Sequence, residues 1–216
     1  MASGHRVVGG GVTVSAIEVI PVSLPGSVNA TPTVTTTLVA NDRVVVLSLK
    51  QATAGTPAIT GLGATWNLDA SLTSTADTYI WSATGVTGSG TITVSGLSTG
   101  PSDVIVYVLR ASSGAAISLV NAQTLTFGAA AGGTVRATTG AAATAGSFVT
   151  GASWISAGSI TLPSTSTPAS GWTTDHTSGT VVKGISQTLS SGATVSVGVT
   201  SSASFSCTLL HAIYQV

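Results

Sequence analysis

The chain has 216 residues, a formal net charge of zero at neutral pH, 43% hydrophobic residues and only 6% charged residues. Disordered chains combine low hydrophobicity with high net charge, so this composition predicts a folded chain that forms one large or two small domains. The six Lys and Arg residues are scattered singly along the sequence, which argues against nucleic acid as a partner. Serine and threonine must then cover most of the surface, as suits a protein packed against copies of itself or other proteins.

Residues 7–24 are mostly apolar and contain Gly9, Gly10 and Gly11 in a row. No stretch of the chain reaches the roughly 18 apolar residues that a membrane helix needs, and this segment lacks the compact apolar run of a signal peptide. We therefore predict an N-terminal arm over residues 1–15, followed by a first strand, and no membrane partner. The arm is expected to become ordered only by docking against a neighbouring protein.

The rest of the sequence has the period-two alternation of β-strands. Apolar and hydroxyl residues alternate over residues 91–95 and again over 194–199. Residues 103–110 and 205–216 carry apolar residues on both faces, which predicts central strands covered on both faces. Turn residues separate these runs at regular spacing. The pattern predicts an all-β fold, an antiparallel β-sandwich of immunoglobulin-like or jelly-roll-like type.

Six segments of the first half match segments of the second half in the same order, at an offset of about 100 to 106 residues. This predicts an internal duplication, with a first β-sandwich unit at 16–112 and a second at 113–216. The units are either tandem sandwiches joined near residues 112–116 or one fused, pseudo-two-fold sandwich. The matched segments are 17–24 with 117–124, 33–37 with 134–138, 41–50 with 145–154, 63–69 with 169–175, 88–96 with 191–200, and 102–111 with 204–213.

Groups that could catalyse a reaction are few. Asp175 and His176 precede many serines, but adjacent side chains on an extended strand point apart and cannot easily serve one Ser-His-Asp triad. Asp175 matches Asp69 in the first unit, so we expect both carboxylates to bind backbone amides in turns. The sequence therefore predicts that the chain is not an enzyme and has no catalytic residues.

Metal and cofactor sites are also not predicted. The three histidines are far apart and lack the paired spacing of zinc ligands. A calcium site would require several first-unit side chains to converge, and we do not expect it. The chain is expected to hold no metal and no cofactor. The side chains considered for calcium are Asn41, Asp42, Asp69 and Asp77.

The aromatic residues and the single cysteine are assigned mainly to the core. Trp66 and Trp172 occupy matching positions and are predicted to be core anchors. Trp81 and Trp154 lack such symmetry, and they are the candidates for a ligand-facing aromatic platform. Cys207 lies in an alternating run and is predicted to be a small core residue, not a reactive thiol.

These segments together resemble a known group of proteins. The first unit reads NDRVVVLSL, GATWNLD, YIWSA, GSGTITVS and VIVYVLR, and the second reads GSFVTGAS, PASGWTTD, SGATVSV and LHAIYQV. Over residues 31–216 the chain resembles the small Thr/Ala/Gly-rich β-sandwich virion proteins of tailed bacteriophages, especially those of actinobacteria. The Gly171-Trp172-Thr173 run is the sharpest match, whereas the first unit has Thr65-Trp66-Asn67 in its place. The resemblance implies a minor tail, minor capsid or decoration protein and no catalytic residues.

We therefore expect a structural component of a phage virion, extracellular once released, that forms a homo-oligomer and contacts other virion proteins. A tail location is the first expectation, and a capsid-surface decoration protein is the alternative. A module that binds carbohydrate or a host cell surface remains a second hypothesis. It depends on exposed faces of Trp81 and Trp154.

Overall fold

The computed structural model describes residues 17–24, 33–50, 57–73, 77–96, 102–129, 133–138, 142–156, 166–168, 170–178, 182–200 and 203–216. The predicted N-terminal arm lies outside these residues. The described part consists of fifteen strands and contains no helix. All strand pairs are antiparallel, as predicted.

Residues 17–111, which we call the first half, contain eight strands, and residues 118–216, the second half, contain seven. The first eight are β1 (Ile17–Leu24), β2 (Thr33–Leu38), β3 (Arg43–Lys50), β4 (Ala58–Gly61), β5 (Asn67–Leu72), β6 (Asp77–Thr84), β7 (Gly88–Ser95) and β8 (Ser102–Ala111). The other seven are β9 (Ser118–Ala129), β10 (Thr134–Thr138), β11 (Phe148–Ile155), β12 (Thr173–Ser178), β13 (Val182–Thr188), β14 (Ser196–Thr200) and β15 (Phe205–Gln215).

The same strand order occurs in both halves. The large sheet of the first half has the order β1-β8-β3-β6-β5, and that of the second half has β9-β15-β11-β13-β12. The small sheets are β2-β7-β4 and β10-β14, and in the second a single bridge from Thr167 to Ser196 stands where β4 pairs with β7 in the first. In each half the first strand pairs with the last and the second with the last but one, which is the wrapping of a jelly roll.

The two large sheets pack face to face and share one core. We call this set the junction core; each of its members is buried, and both halves contribute. Gly184 of β13 shows how close the sheets come, since a Cβ atom there would lie 2.6 Å from the Ile105 side chain of β8. The junction core consists of Ile17, Val45, Leu47, Leu49, Ala70, Ile80, Ile105, Tyr107, Leu109, Ala111, Ile117, Phe148, Ala152, Trp154, Leu210, Ala212 and Tyr214.

Each large sheet is covered on its other face by the small sheet of its own half. In β8, Val104, Val106 and Val108 face the small sheet, while Ile105 and Tyr107 face the junction core. Strands β11 and β15 likewise contribute alternate residues to the junction core and to two smaller clusters inside the second half. Such double coverage explains why β8 and β15 carry apolar residues on both faces.

None of the described strands is exchanged between the halves, so each half closes its own sheets while sharing a core with the other. The connection 112–114 is a tight turn, closed by a 2.8 Å hydrogen bond from the Gly114 amide to the Ala111 carbonyl. Across this turn the Asn41 side-chain amide donates to the Gly114 carbonyl at 2.6 Å. The halves are thus two sandwiches held face to face. A duplication at the level of sequence stays a prediction.

Two of the matched segments are misaligned at the level of side chains. The alignment of 102–111 with 204–213 pairs Tyr107 with Leu209, but Tyr107 lies in the junction core and Leu209 lies inside the second half. The alignment of 41–50 with 145–154 pairs Val45 with Val149, but Val45 lies in the junction core and Val149 lies in a cluster inside the second half. A shift of one residue moves every side chain to the other face of a sheet, and repetitive Ser, Thr, Val and Gly sequence does not fix that register.

Candidate functional site at the junction of the two halves

Asp69 and Asp175 occupy the same special position in their sheets. The β5–β6 ladder shifts register between Leu68 and Ala70, and the β12–β13 ladder shifts between Thr174 and His176. Each Asp is therefore the unpaired residue of a β-bulge, a feature that redirects a side chain. Both were expected to bind backbone amides in turns. Instead they lie within strands and accept hydrogen bonds from side chains of the opposite half.

The hydrogen bonds form a reciprocal pair across the junction. Tyr107 of the first half donates its hydroxyl to Asp175 Oδ2 at 2.8 Å, and Tyr214 of the second half donates to Asp69 Oδ2 at 2.6 Å. Phe148 lies between the two phenol rings, with its centroid 5.1 Å from that of Tyr107 and 6.5 Å from that of Tyr214. Hydrogen bonds from a phenol to a carboxylate are directional, so they fix how the two sheets are placed relative to each other.

At the Asp69 end the site includes a cation. The Arg43 guanidinium lies with its carbon 5.2 Å from the centre of the Tyr214 ring, and its Nη2 is 4.0 Å from Asp69 Oδ1. Nη2 also donates to Ser82 Oγ at 2.8 Å, and Nη1 donates to the carbonyl of Ile117, the residue directly before β9, at 2.9 Å. One guanidinium thus contacts an aromatic face, a hydroxyl, a carbonyl and a carboxylate, the set of partners that arginine satisfies well.

Among the described residues, the Asp175 end has no such cation. Arg43 pairs with Thr84 across the β3–β6 ladder, and the residue that pairs with Thr188 across the corresponding β11–β13 ladder is Phe148. In the described part of the chain no ion pair joins Asp175 to a basic side chain, and its other hydrogen bond comes from Ser186 Oγ at 3.0 Å. Burial raises the pKa of Asp175, although the hydrogen bonds from Tyr107 and Ser186 act in the opposite direction.

A cleft opens beside Asp175, and we call it the Asp175 cleft. Its volume is about 220 Å³, and it lies between β1 of the first half and β12 and β13 of the second. Gln187 contributes to its wall; this side chain is 8% exposed and donates to the Ser170 carbonyl at 2.8 Å. Its own carbonyl oxygen accepts no hydrogen bond from the described residues. The lining comprises Val19, Tyr107, Phe148, Gly171, Thr173, Asp175, Ser186, Gln187 and Thr188.

The two aromatic residues proposed as ligand platforms are both buried. Trp81 is 6% exposed, lies between the two sheets of the first half and stacks on Tyr79 with ring centroids 5.1 Å apart. Trp154 is 8% exposed and belongs to the junction core. Neither offers a face to a ligand, because strands β6 and β11 are covered on both faces. Trp66 and Trp172 are half-buried against the cores of their own halves and donate to the Gly61 and Pro168 carbonyls.

The other residues considered for chemistry do not come together. Asp42 is paired with Arg110 through both carboxylate oxygens, whereas Asp69 binds Tyr214. Among the described residues there is no group of three or more His, Cys, Asp or Glu that could hold a metal ion. The His176 side chain lies outside what the structure describes. Cys207 is buried as predicted, and burial raises the pKa of its thiol to about 11.

Four residues of the junction were not predicted from the sequence: Tyr107, Tyr214, Ser186 and Arg43. A usable signal existed for the tyrosines, since each lies in the last strand of its half. A second signal marked the aspartates, since each lies three residues after a tryptophan. Nothing in the sequence shows that each tyrosine reaches the aspartate of the other half. That contact depends on the face-to-face packing of the large sheets.

In comparisons with known proteins, no family model, curated protein or solved structure matches the chain. Within the described residues there is also no helix long and apolar enough to cross a membrane.

Proposed function

We propose that the protein is a non-enzymatic structural component of a tailed-phage virion, a minor tail protein that assembles with copies of itself and with other virion proteins. The observation that supports this best is strand β9. It is twelve residues long, contains no charged residue and lies at the edge of the second large sheet. Soluble proteins usually protect such edges with charge, proline or short length, so an unprotected edge favours pairing with another chain.

The β9 edge combines two properties of an association surface. Among the described strands β9 pairs only with β15, so its outer row of backbone groups forms no ladder with another described strand. Phe127 is 56% exposed and Val120 is 45% exposed, although large apolar side chains usually avoid water. Backbone pairing with burial of these two side chains would suit the assembly of repeated copies, as in the rings of a virion.

The low charge of the chain supports the same proposal. A free monomer of this size normally carries charge for solubility, and here only 6% of residues are charged. Light scattering of the purified chain at two concentrations tests self-assembly, and we expect a defined oligomer. Phe127→Lys should lower the mass towards that of a monomer, because it places a charge at the edge strand. Val39→Lys is the matched control, since Val39 is also about half exposed, at 49%, but lies in the turn after β2.

A monomer at both concentrations would contradict self-assembly, and an oligomer unaffected by Phe127→Lys would contradict the role of β9. The virion location needs a separate test. Mass spectrometry of purified phage particles that carry the gene should detect the chain, and immunogold labelling should place it on the tail. Label on the head would favour the capsid-decoration alternative. Absence of the chain from purified particles would refute the proposal.

A further inference from the structure

We infer that the Asp175 cleft is a binding site for an alkylguanidinium group, the chemistry of an arginine side chain. Two independent observations at the junction support this inference, and neither depends on the proposed virion function. One is the arrangement at the Asp69 end, where the same set of side chains surrounds the guanidinium of Arg43. The other is the Gln187 carbonyl oxygen, which has no hydrogen-bond donor among the described residues, beside a carboxylate that has no described cation.

The two ends of the junction share a framework. At the Asp69 end a guanidinium is surrounded by a bulged Asp, a Tyr from the opposite half and a serine on the neighbouring strand. At the Asp175 end the bulged Asp, the opposite Tyr and the neighbouring serine are all present. The ring of Phe148 lies at the ladder position that corresponds to Arg43. The cleft therefore has the carboxylate and aromatic groups of a guanidinium site without the guanidinium.

The unsatisfied groups favour a hydrogen-bond donor with positive charge. Gln187 is only 8% exposed, and its carbonyl oxygen has no hydrogen-bond donor among the described residues. Among the described residues, Asp175 has two hydroxyl donors and no cation, in a half-buried position where an unpaired charge is costly. A planar cation with several N–H donors would neutralise the carboxylate and hydrogen-bond to the cleft wall.

The size and the wall of the cleft favour guanidinium over ammonium. About 220 Å³ would hold roughly seven water molecules at about 30 Å³ each, which is enough for a guanidinium with part of its alkyl chain. Tyr107, Phe148 and Val19 supply an aromatic and aliphatic wall, and guanidinium is more weakly hydrated than ammonium and stacks on such surfaces. The occupant is either an arginine of a partner protein or a small guanidinium compound.

The test is a titration of the full-length protein with N-ethylguanidinium, in which binding is measured from the NMR signals of the tyrosine side chains. We expect saturable binding, and N-ethylurea, which has a similar shape but no charge, should not bind. Asp175→Asn should weaken binding roughly tenfold or more, the effect expected for losing a hydrogen bond to a charged group. Asp69→Asn is the matched control and should leave the affinity unchanged, because it alters the opposite end of the junction.

A second variant keeps the test decisive if Asp175→Asn folds poorly. Thr173 is exposed and lines the cleft, so Thr173→Arg should place a tethered guanidinium in the site and block the probe, whereas Thr173→Gln should not. No binding to the wild-type protein, or equal loss with Asp69→Asn, would overturn the inference. A capped Gly-Arg-Gly peptide that binds more tightly than N-ethylguanidinium would identify a partner's arginine as the occupant. Equal affinity would identify a small guanidinium compound.

Discussion

His211 is an unusual residue for the middle of a core. It has no exposed surface, and it pairs with Gly151 of β11 and Gln123 of β9 in the sheet of the second half. Neither ring nitrogen has a hydrogen-bond partner among the described residues. A buried polar ring without partners is kept in its neutral form, because desolvation disfavours the charge. Burial lowers the pKa of His211 from 6.5 to about 4.

This shift predicts a specific pH dependence of stability. Between pH 6.5 and about 4 the unfolded chain binds a proton at His211 and the folded chain does not, so the free energy of unfolding falls as the pH falls through this window. The total loss attributable to His211 is about 3 kcal/mol, and it is absent above pH 7. Urea denaturation of the wild type and of His211→Leu at several pH values measures it.

The difference in unfolding free energy between these two proteins isolates His211 from the other titrating groups. We expect the difference to change steadily from pH 7 to pH 4 in favour of the leucine variant. A difference that is independent of pH would show that His211 is protonated as easily in the folded chain as in the unfolded one.

At the scale of strands, the sequence patterns predicted which segments form strands and which strands are covered on both faces. They predicted the register of the strands less well. The apolar runs of β8 and β15 indicated central strands covered on both faces, and the structure confirms this for both. The Trp-x-x-Asp match was also placed correctly, since Asp69 and Asp175 are both bulge residues. The alignment of the last strands, 102–111 with 204–213, has an even offset, but side chains on equivalent faces of β8 and β15 are separated by an odd number of residues.

Gly184 shows what holds strands of opposite halves close together. A side chain at this position of β13 would enter the space of Ile105 on β8 and of Leu47 on β3. Gly184→Leu should therefore force the large sheets apart and destabilise the protein by roughly 1–3 kcal/mol, the usual cost of overpacking. Thr188→Leu, at an exposed position of the same strand, should change stability by less than about 0.5 kcal/mol. Chemical denaturation compares the two variants, and equal effects would contradict the close approach of the sheets.

At the scale of the molecule, the sequence left two arrangements of the halves open. Local patterns cannot choose between them, since alternation reports only that a face is buried and not what covers it. The structure retains features of each arrangement, with sheets closed within each half and a junction core shared by both. The burial of Trp81 and Trp154 is also a result of how the sheets pack. Trp154 looked like an unpaired surface aromatic in the sequence, but the first half covers it.

The shared junction core predicts that the two halves unfold together. Separating them would expose Tyr107, Tyr214, Phe148 and the apolar residues around them, and it would break both Tyr–Asp hydrogen bonds. Since that loss would destabilise each half, neither should persist when the other unfolds. Differential scanning calorimetry should show one transition, with the calorimetric enthalpy equal to the van't Hoff enthalpy. Two resolved transitions, or a folded product from expression of residues 1–112 alone, would show that the halves are independent domains that merely touch.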